Sequence, residues 1–323
     1  MREASSSARL PTATSGPLWA ITSYFNSSGL ERRRENFTLF RAGLGIPLIA
    51  VELGYDRPFE LTPSDADILI QLRGGDALWQ KERLLNLALE ALPDECRYVA
   101  WLDGDVILAR QDWPELAIES LQSNALVQLF RNSHNLKREF TGRRLPTLAD
   151  TDLCRPSIPF GIERGLAPIE ILRDGDLNPF GKHTCGFAWA ARRELIARHR
   201  LFDTCIVGGG DRALIAAALD CIDHVVQRQR MTRQHADQYR AWAEGFRDSV
   251  GGAIGWIETD VFHLWHGPND KRQRRERYWR FGRFDFDPMT DIALSESGVW
   301  RWHSDKPEMH AMVREHLASR CGG

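Results

Sequence analysis

Tyr98-Val99-Ala100-Trp101-Leu102-Asp103-Gly104-Asp105 runs from a continuous apolar stretch into two carboxylates separated by one glycine. The apolar part is rich in strand-forming residues and has no polar alternation, which marks a strand buried on both faces. Working outward, Leu18–Tyr24, Ile46–Leu53, Ile68–Leu72 and Leu126–Phe130 read as further buried strands. Helical periodicity separates them over Leu30–Ala42 and over Leu78–Leu92, the second ended by Pro93. Strands alternating with helices at this rhythm predict an α/β fold of three layers, with a mostly parallel central sheet covered on both faces. Ligands of such folds bind beyond the carboxyl ends of the strands, and Asp103 stands at one of those ends.

Further along, His134–Lys182 reads as loops rich in proline, glycine and charge. Helices are expected over Arg192–His199, Arg212–Cys221 and Pro307–Ser319, and a last strand over Gly255–Leu264. Residues 1–17, rich in Ser, Thr, Ala and Pro, read as a disordered tail. One domain then spans 18–270, and 271–323 forms a basic and aromatic extension packed on it. The 323 residues suit one elaborated domain. A hydrophobic fraction of 43% with 27% charged residues is ordinary for a globular chain. The formal net charge of −2 argues against non-specific nucleic-acid binding. The six cysteines form no C-x-x-C pair and no disulfide framework, which fits a reducing, cytoplasmic setting and excludes a zinc knuckle.

Four constellations carry chemistry. Asp103 and Asp105 flank Gly104 on a turn after the strand, so both can reach one hard divalent cation such as Mn²⁺ or Mg²⁺. The competing interpretation is an Asp-Gly hairpin turn. Gly208-Gly209-Gly210-Asp211 opens a helix; Asp211 is either a plain N-terminal cap or a general base. Phe262-His263-Leu264-Trp265-His266-Gly267 ends a strand, and strand alternation puts His263 and His266 on opposite faces. Lys271 leads a basic segment, with Arg272, Arg274, Arg275 and Arg277 behind it. That segment suits a diphosphate, an anionic lipid surface in peripheral membrane contact, or merely a solvated helix face.

In order and spacing these motifs resemble glycosyltransferases of the GT-A fold, above all the beta-1,4-galactosyltransferase family and bacterial family-two enzymes. The segment from Arg32 to Glu35 resembles their nucleotide-contacting segment, and Trp79 to Asn86 the helix before their acidic strand. Asp103-Gly104-Asp105 falls at their Asp-x-Asp motif, and Cys185 to Trp189 resembles the strand beside their acceptor site. Gly208 to Asp211 resembles their Gly-Gly-Glu-Asp segment, and His266 to Lys271 their metal-histidine segment. The resemblance implies an inverting transfer from a nucleotide-sugar, preferentially a UDP-sugar, to a hydroxyl on a saccharide or lipid-linked acceptor. It implies Asp211 as base, with Asp105, Asp103 and His266 on the metal and His263 as rival ligand. It places Arg32, Arg34, Lys81, Arg83, Asp103 and Lys271 at the donor, and Gly186, Phe187, Trp189, Gly209 and Gly210 at the acceptor. Gly210 departs from the family, which has an acidic residue there. Two rivals stand beside it: a nucleotidyltransferase, which would want a glycine-rich loop where Ser23 to Gly29 stands, and a non-catalytic nucleotide-binding scaffold.

Overall fold

The computed structural model describes residues 16–177, 183–267 and 275–319. In chain order the first half comprises β1 (Leu18–Phe25), α1 (Glu31–Leu44), β2 (Leu48–Leu53), β3 (Ile68–Leu72), α2 (Lys81–Glu90), β4 (Tyr98–Leu102), β5 (Val106–Leu108) and α3 (Trp113–Ser123). Then follow β6 (Leu126–Gln128), β7 (Asn132–Leu136), β8 (Thr151–Pro156), α4 (Ile158–Glu163), α5 (Pro168–Leu177), β9 (Ala188–Arg192) and α6 (Arg193–His199). The chain continues through α7 (Gly210–Ala218), α8 (Ile222–Gln229), α9 (Arg233–Val250), β10 (Ile254–Trp256), β11 (Asp260–His263) and α10 (Glu276–Phe281). It closes with α11 (Pro288–Asp291), β12 (Ile292–Leu294), β13 (Trp300–Trp302) and α12 (Pro307–Ser319).

The main sheet has the order β10-β6-β9-β4-β1-β2-β3, parallel except where β9 runs against β4 and β6. Strand alternation divides its side chains cleanly between two cores. Trp19, Ile21, Ile49, Val51, Val99, Trp101 and Trp189 pack on one face against α2, α6, α7 and α9. Leu18, Ala20, Leu48, Ala50, Ala100 and Leu102 pack on the other against Phe37, Phe40 and Leu44 of α1 and Trp113, Ala117 and Leu121 of α3. This is why the strand sequences are apolar without a polar period. Full burial of each large side chain contributes roughly 1.5–3 kcal/mol.

The sequence-based map needs three changes. The stretch 134–182 is not merely loop: β7 and β8 join β5 and β11 in a second sheet of order β5-β11-β7-β8, and α4 and α5 follow. The single strand expected over Gly255–Leu264 is two, β10 in the main sheet and β11 in the second. Helix α2 starts at Lys81, not Leu78, because Gln80 is drawn aside: its side chain accepts from the Trp300 amide at 2.7 Å and donates to the Trp300 carbonyl at 2.9 Å. The described C-terminal residues pack on the same body, with Leu78, Ile206 and Val207 sharing a core with Phe281, Phe286, Met309 and Val313. Among the described residues, no helix is long and apolar enough to cross a membrane.

Candidate active site

A cleft of about 280 Å³ opens at the carboxyl ends of β1 and β4. Asp103 and Asp105 lie on its floor because β4 stops there. The Asp103 amide donates to the Phe187 carbonyl at 2.8 Å, and Thr22 Oγ1 on β1 caps the Leu102 carbonyl at 2.7 Å. The chain then leaves the main sheet: β5 pairs with β11, not with β4, so Asp103-Gly104-Asp105 joins two sheets and is not a hairpin turn. Gly104 fits tightly at this crossing, since a Cβ there would meet the Phe37 ring at 3.0 Å.

The crossing sends the two aspartates to different partners. Asp105 meets both histidines of β11 and its exit, with Oδ2 at 3.4 Å from His266 Nε2 and 3.7 Å from His263 Nε2. One ligand atom from each of the three residues falls within 4.8 Å of the others, which is the spacing of a shared cation. Strand alternation separates His263 from His266 only while the strand lasts. It ends at His263, and the following turn brings His266 back to the same side. His263 is held by stacking on Phe187, centroids 4.6 Å apart and planes 15° apart. Phe187 in turn has φ +81°, a left-handed conformation that a bulky residue rarely adopts, so backbone strain is concentrated beside the metal-competent cluster. One carboxylate and two imidazoles fit a first-row divalent ion with open positions. The nitrogen donors favour Mn²⁺ over Mg²⁺, which prefers oxygen ligands.

Asp103 instead faces Lys81, which opens α2 on the other side of the cleft. The Lys81 ammonium lies 2.5 Å from Asp103 Oδ1, and 2.9 and 3.0 Å from the two oxygens of Asp211. Burial opposes the Lys81 charge, but Asp103 and Asp211 outweigh it and hold the ammonium protonated. Asp103 is pushed up to about 6 by burial, against the pull of Lys81, with Asp211 and Asp105 raising it further. Asp211 sits in the first turn of α7, after Gly208 and Gly209 with φ +84° and +109°. Gly209 is packed so closely that a Cβ would lie 2.1 Å from the Tyr278 hydroxyl, which donates to the Gly208 carbonyl at 3.0 Å. Gly210 is equally crowded, with Glu82 Oε1 2.1 Å from where a Cβ would be. Glu82 is buried, and burial followed by the Asp211 charge pushes its carboxyl up to about 8, so it is largely neutral at pH 7.

Gly186, Phe187 and Gly209 line the cleft as the sequence suggested, whereas Trp189 is wholly buried in the core and donates to the Cys185 carbonyl at 2.8 Å. Arg32 and Arg34 do not line it. Arg32 ties Trp265, Arg138 and Phe140 carbonyls together, and Arg34 Nη2 donates to both carboxylate oxygens of Asp65 at 2.8 and 2.9 Å. The arginine of that run which lines the cleft is Arg33, one helical turn from Asn36 on the same face. Arg83 is likewise turned away, to Gly298, Asp203 and the Trp300 ring. Lys271 lies outside the described residues. Sequence reading missed Arg155, His183, Arg212, Arg228 and Tyr278 on the cleft wall, and had taken Arg277 only as part of the basic segment.

No family model matches the chain, and no curated protein matches it. Among solved structures it is similar to glucosyl-3-phosphoglycerate synthase from Mycobacterium tuberculosis, at 16% identity over 91% of each chain and a TM-score of 0.40. The same protein in complex with Mn²⁺, uridine diphosphate and glucosyl-3-phosphoglycerate gives 15% identity over 95% of this chain and 98% of that one, with a TM-score of 0.41. S. aureus TarS gives 10% identity over 85% of this chain and 45% of that one, with a TM-score of 0.36. Likeness at this level assigns no residue a role.

Proposed function

We propose that the chain is a Mn²⁺-dependent glycosyltransferase that moves a sugar from a nucleotide-sugar, with UDP the expected carrier, to an acceptor hydroxyl. One observation carries this: the Asp105–His263–His266 cluster and the Lys81-bound Asp211 share a single cleft at the strand ends. Asp105, His263 and His266 would hold the cation. When bound, the cation supplies positive charge to the diphosphate leaving group. The chain's own residues supply the rest. Arg33 and Asn36 line the cleft near the β1 end and would border the nucleotide diphosphate. Asp211 would take the proton of the acceptor hydroxyl, with Lys81 fixing its carboxylate through both oxygens. Asp103 then acts on the metal site through its charge, which Asp105 feels directly, and on the base through the shared Lys81. A carboxylate base that shares the cleft with the residues that would hold the cation supports inversion at the anomeric carbon.

The test is nucleotide binding and donor turnover. UDP should raise the melting temperature in the presence of Mn²⁺ more than in its absence, and UDP-sugars should be hydrolysed slowly with Mn²⁺ and more slowly with Mg²⁺. No response to UDP with Mn²⁺, Mg²⁺, Co²⁺ or Fe²⁺ would remove the proposal and favour the scaffold alternative.

A further inference from the structure

The cleft extends past Asp211 to an end that neither a cation nor a base explains. The strand order sets its direction. The tip of β4 lies between β1, whose end residues Ser23, Tyr24 and Phe25 line one side, and β9, whose approach Thr184 to Phe187 lines the other. Arg212, Arg228 and Arg277 come from α7, α8 and α10, and Arg155 from β8, whose following residue Ser157 bridges to Thr184. Arg155 therefore stands on the β9 side, and Arg212, Arg228 and Arg277 line the same cleft. Guanidinium groups that line a cleft without a carboxylate partner are unfavourable there unless an anion joins them, because like charges repel where water is excluded.

Arg212 and Arg277 are the informative pair. Arg212 lends one N–H to the Leu172 carbonyl at 3.0 Å, and Arg277 one to the Tyr278 hydroxyl at 2.8 Å. Among the described residues neither forms an ion pair with a carboxylate, and Asp211, next to Arg212, has both oxygens on Lys81. Arg277 Nε is buried with no hydrogen-bond partner among the described residues. A buried guanidinium N–H left unused is unfavourable unless a ligand accepts it. The Arg228 charge is disfavoured first by burial and then by Arg275 and Arg277. Tyr278 links the two features, since it takes the Arg277 bond and donates to Gly208 in the loop that carries Asp211.

We propose that Arg212 and Arg277, flanked by Arg155 and Arg228, form an oxyanion subsite that seats a phosphate or carboxylate of the acceptor, so that its hydroxyl is presented to Asp211. The identification of this anion as part of the acceptor rests on the glycosyltransferase reading above; the subsite itself does not. Planar guanidinium forks recognise both anions in bidentate fashion.

The experiment uses the full chain, wild type and as Arg212→Gln, Arg277→Gln and Arg212→Lys, with melting curves to confirm folding. Sulfate, a tetrahedral dianion that leaves Mn²⁺ in solution, is titrated calorimetrically with and without saturating UDP and Mn²⁺. The expected result is sulfate binding that persists beside UDP, falls about tenfold in each Gln variant and changes less in the Lys variant. Displacement of sulfate by UDP, or binding indifferent to both Gln variants, overturns the subsite. Failure of UDP to bind while the arginine-dependent sulfate affinity stands defeats the glycosyltransferase reading and leaves the subsite. In turnover, glycerol, glycerol phosphate and glycerate separate the two sources: a preference for the phosphate or for the carboxylate identifies the anion, and equal use of uncharged glycerol refutes an acceptor role.

Discussion

Glu82→Gln offers the most direct reading of how the cleft is charged. Glu82 is 5% exposed, wedged between Gly210 and the Lys81–Asp211 pair. Its carboxyl moves from an ordinary 4.5 to about 8 on folding, driven first by burial and then by Asp211, while Lys81 pulls the other way. The folded value is the higher one, so the contribution to stability is full below the unfolded value and is lost as pH rises through the folded value. Each pH unit between the two is worth about 1.4 kcal/mol. The nominal loss by pH 8 therefore approaches roughly 4 kcal/mol, which relaxation and water entry around the ionised group reduce to about 2–3 kcal/mol. Glutamine keeps the shape of the neutral acid without ionising. Urea unfolding at intervals from pH 5 to 8.5 should show wild type and variant close together at pH 5, then the variant more stable by about 2 kcal/mol or more at pH 8. Parallel profiles across that range would mean that Glu82 is ionised throughout, and the neutral-acid account of this corner would be wrong.

Other expectations follow from the same geometry. His263→Ala and His266→Ala should each weaken Mn²⁺-dependent UDP binding by about 10–100-fold, measured by calorimetry, because either change leaves two ligands; an effect confined to one histidine would return the metal site to a single-histidine arrangement. Asp211→Asn should lower kcat by about 10²–10⁴ while leaving the UDP affinity within about twofold, and normal turnover would place the base elsewhere. Arg33→Ala should weaken UDP binding with little change in melting temperature. Arg34→Ala should instead lower the melting temperature, since it breaks the ion pair to Asp65, and leave UDP affinity unchanged. Gly209→Ala should destabilise the fold by about 1–3 kcal/mol in urea, because φ +109° and the Tyr278 hydroxyl leave no room for a methyl group.

Five strands of the main sheet were legible because most of them are buried on both faces, which writes itself as unbroken apolar sequence; β9 entered only through the family resemblance, and β10 was merged with β11. The second sheet was not legible. β8 alternates between partly buried and exposed residues, and β7, Asn132–Leu136, is polar although Ser133, His134 and Asn135 are buried. Two of those side chains find partners across the fold, Ser133 Oγ with Thr184 at 2.6 Å and His134 with Asp260 at 3.0 Å, and such partners leave no local pattern to read. The site shows the same division. Asp103, Asp105, Asp211 and the two histidines stood out because they cluster in short motifs at the ends of strands and helices, where ligands of such folds bind. The arginines did not, because charge alone cannot separate a ligand contact from a backbone tie.

Helix geometry could have settled part of that. Residues two apart on a helix lie about 200° around it, so Lys81 and Arg83 cannot both face one cleft. Lys81 took the inward position and Arg83 was carried to Asp203 and Trp300. The same step separates Arg32 from Arg34 and leaves Arg33 between them, on the face of Asn36. What no local rule supplies is the role of Lys81. Its ammonium touches Asp103 at the end of β4 and Asp211 at the start of α7, so one buried charge joins the two acidic motifs that the sequence displays 108 residues apart. Lys81→Met tests whether that link matters. Removing the cation leaves Asp103 and Asp211 facing each other across a buried gap with Glu82 beside them, and breaking such a buried pair typically costs about 3–5 kcal/mol. The loss should shrink as pH falls, starting above pH 6, because the Lys81 pull that holds Asp103 down to about 6 is gone in the variant and Asp103 takes up a proton sooner. If the Lys81→Met chain is as stable as wild type at pH 8, the two aspartates do not depend on the lysine, and the cleft is organised by its backbone alone.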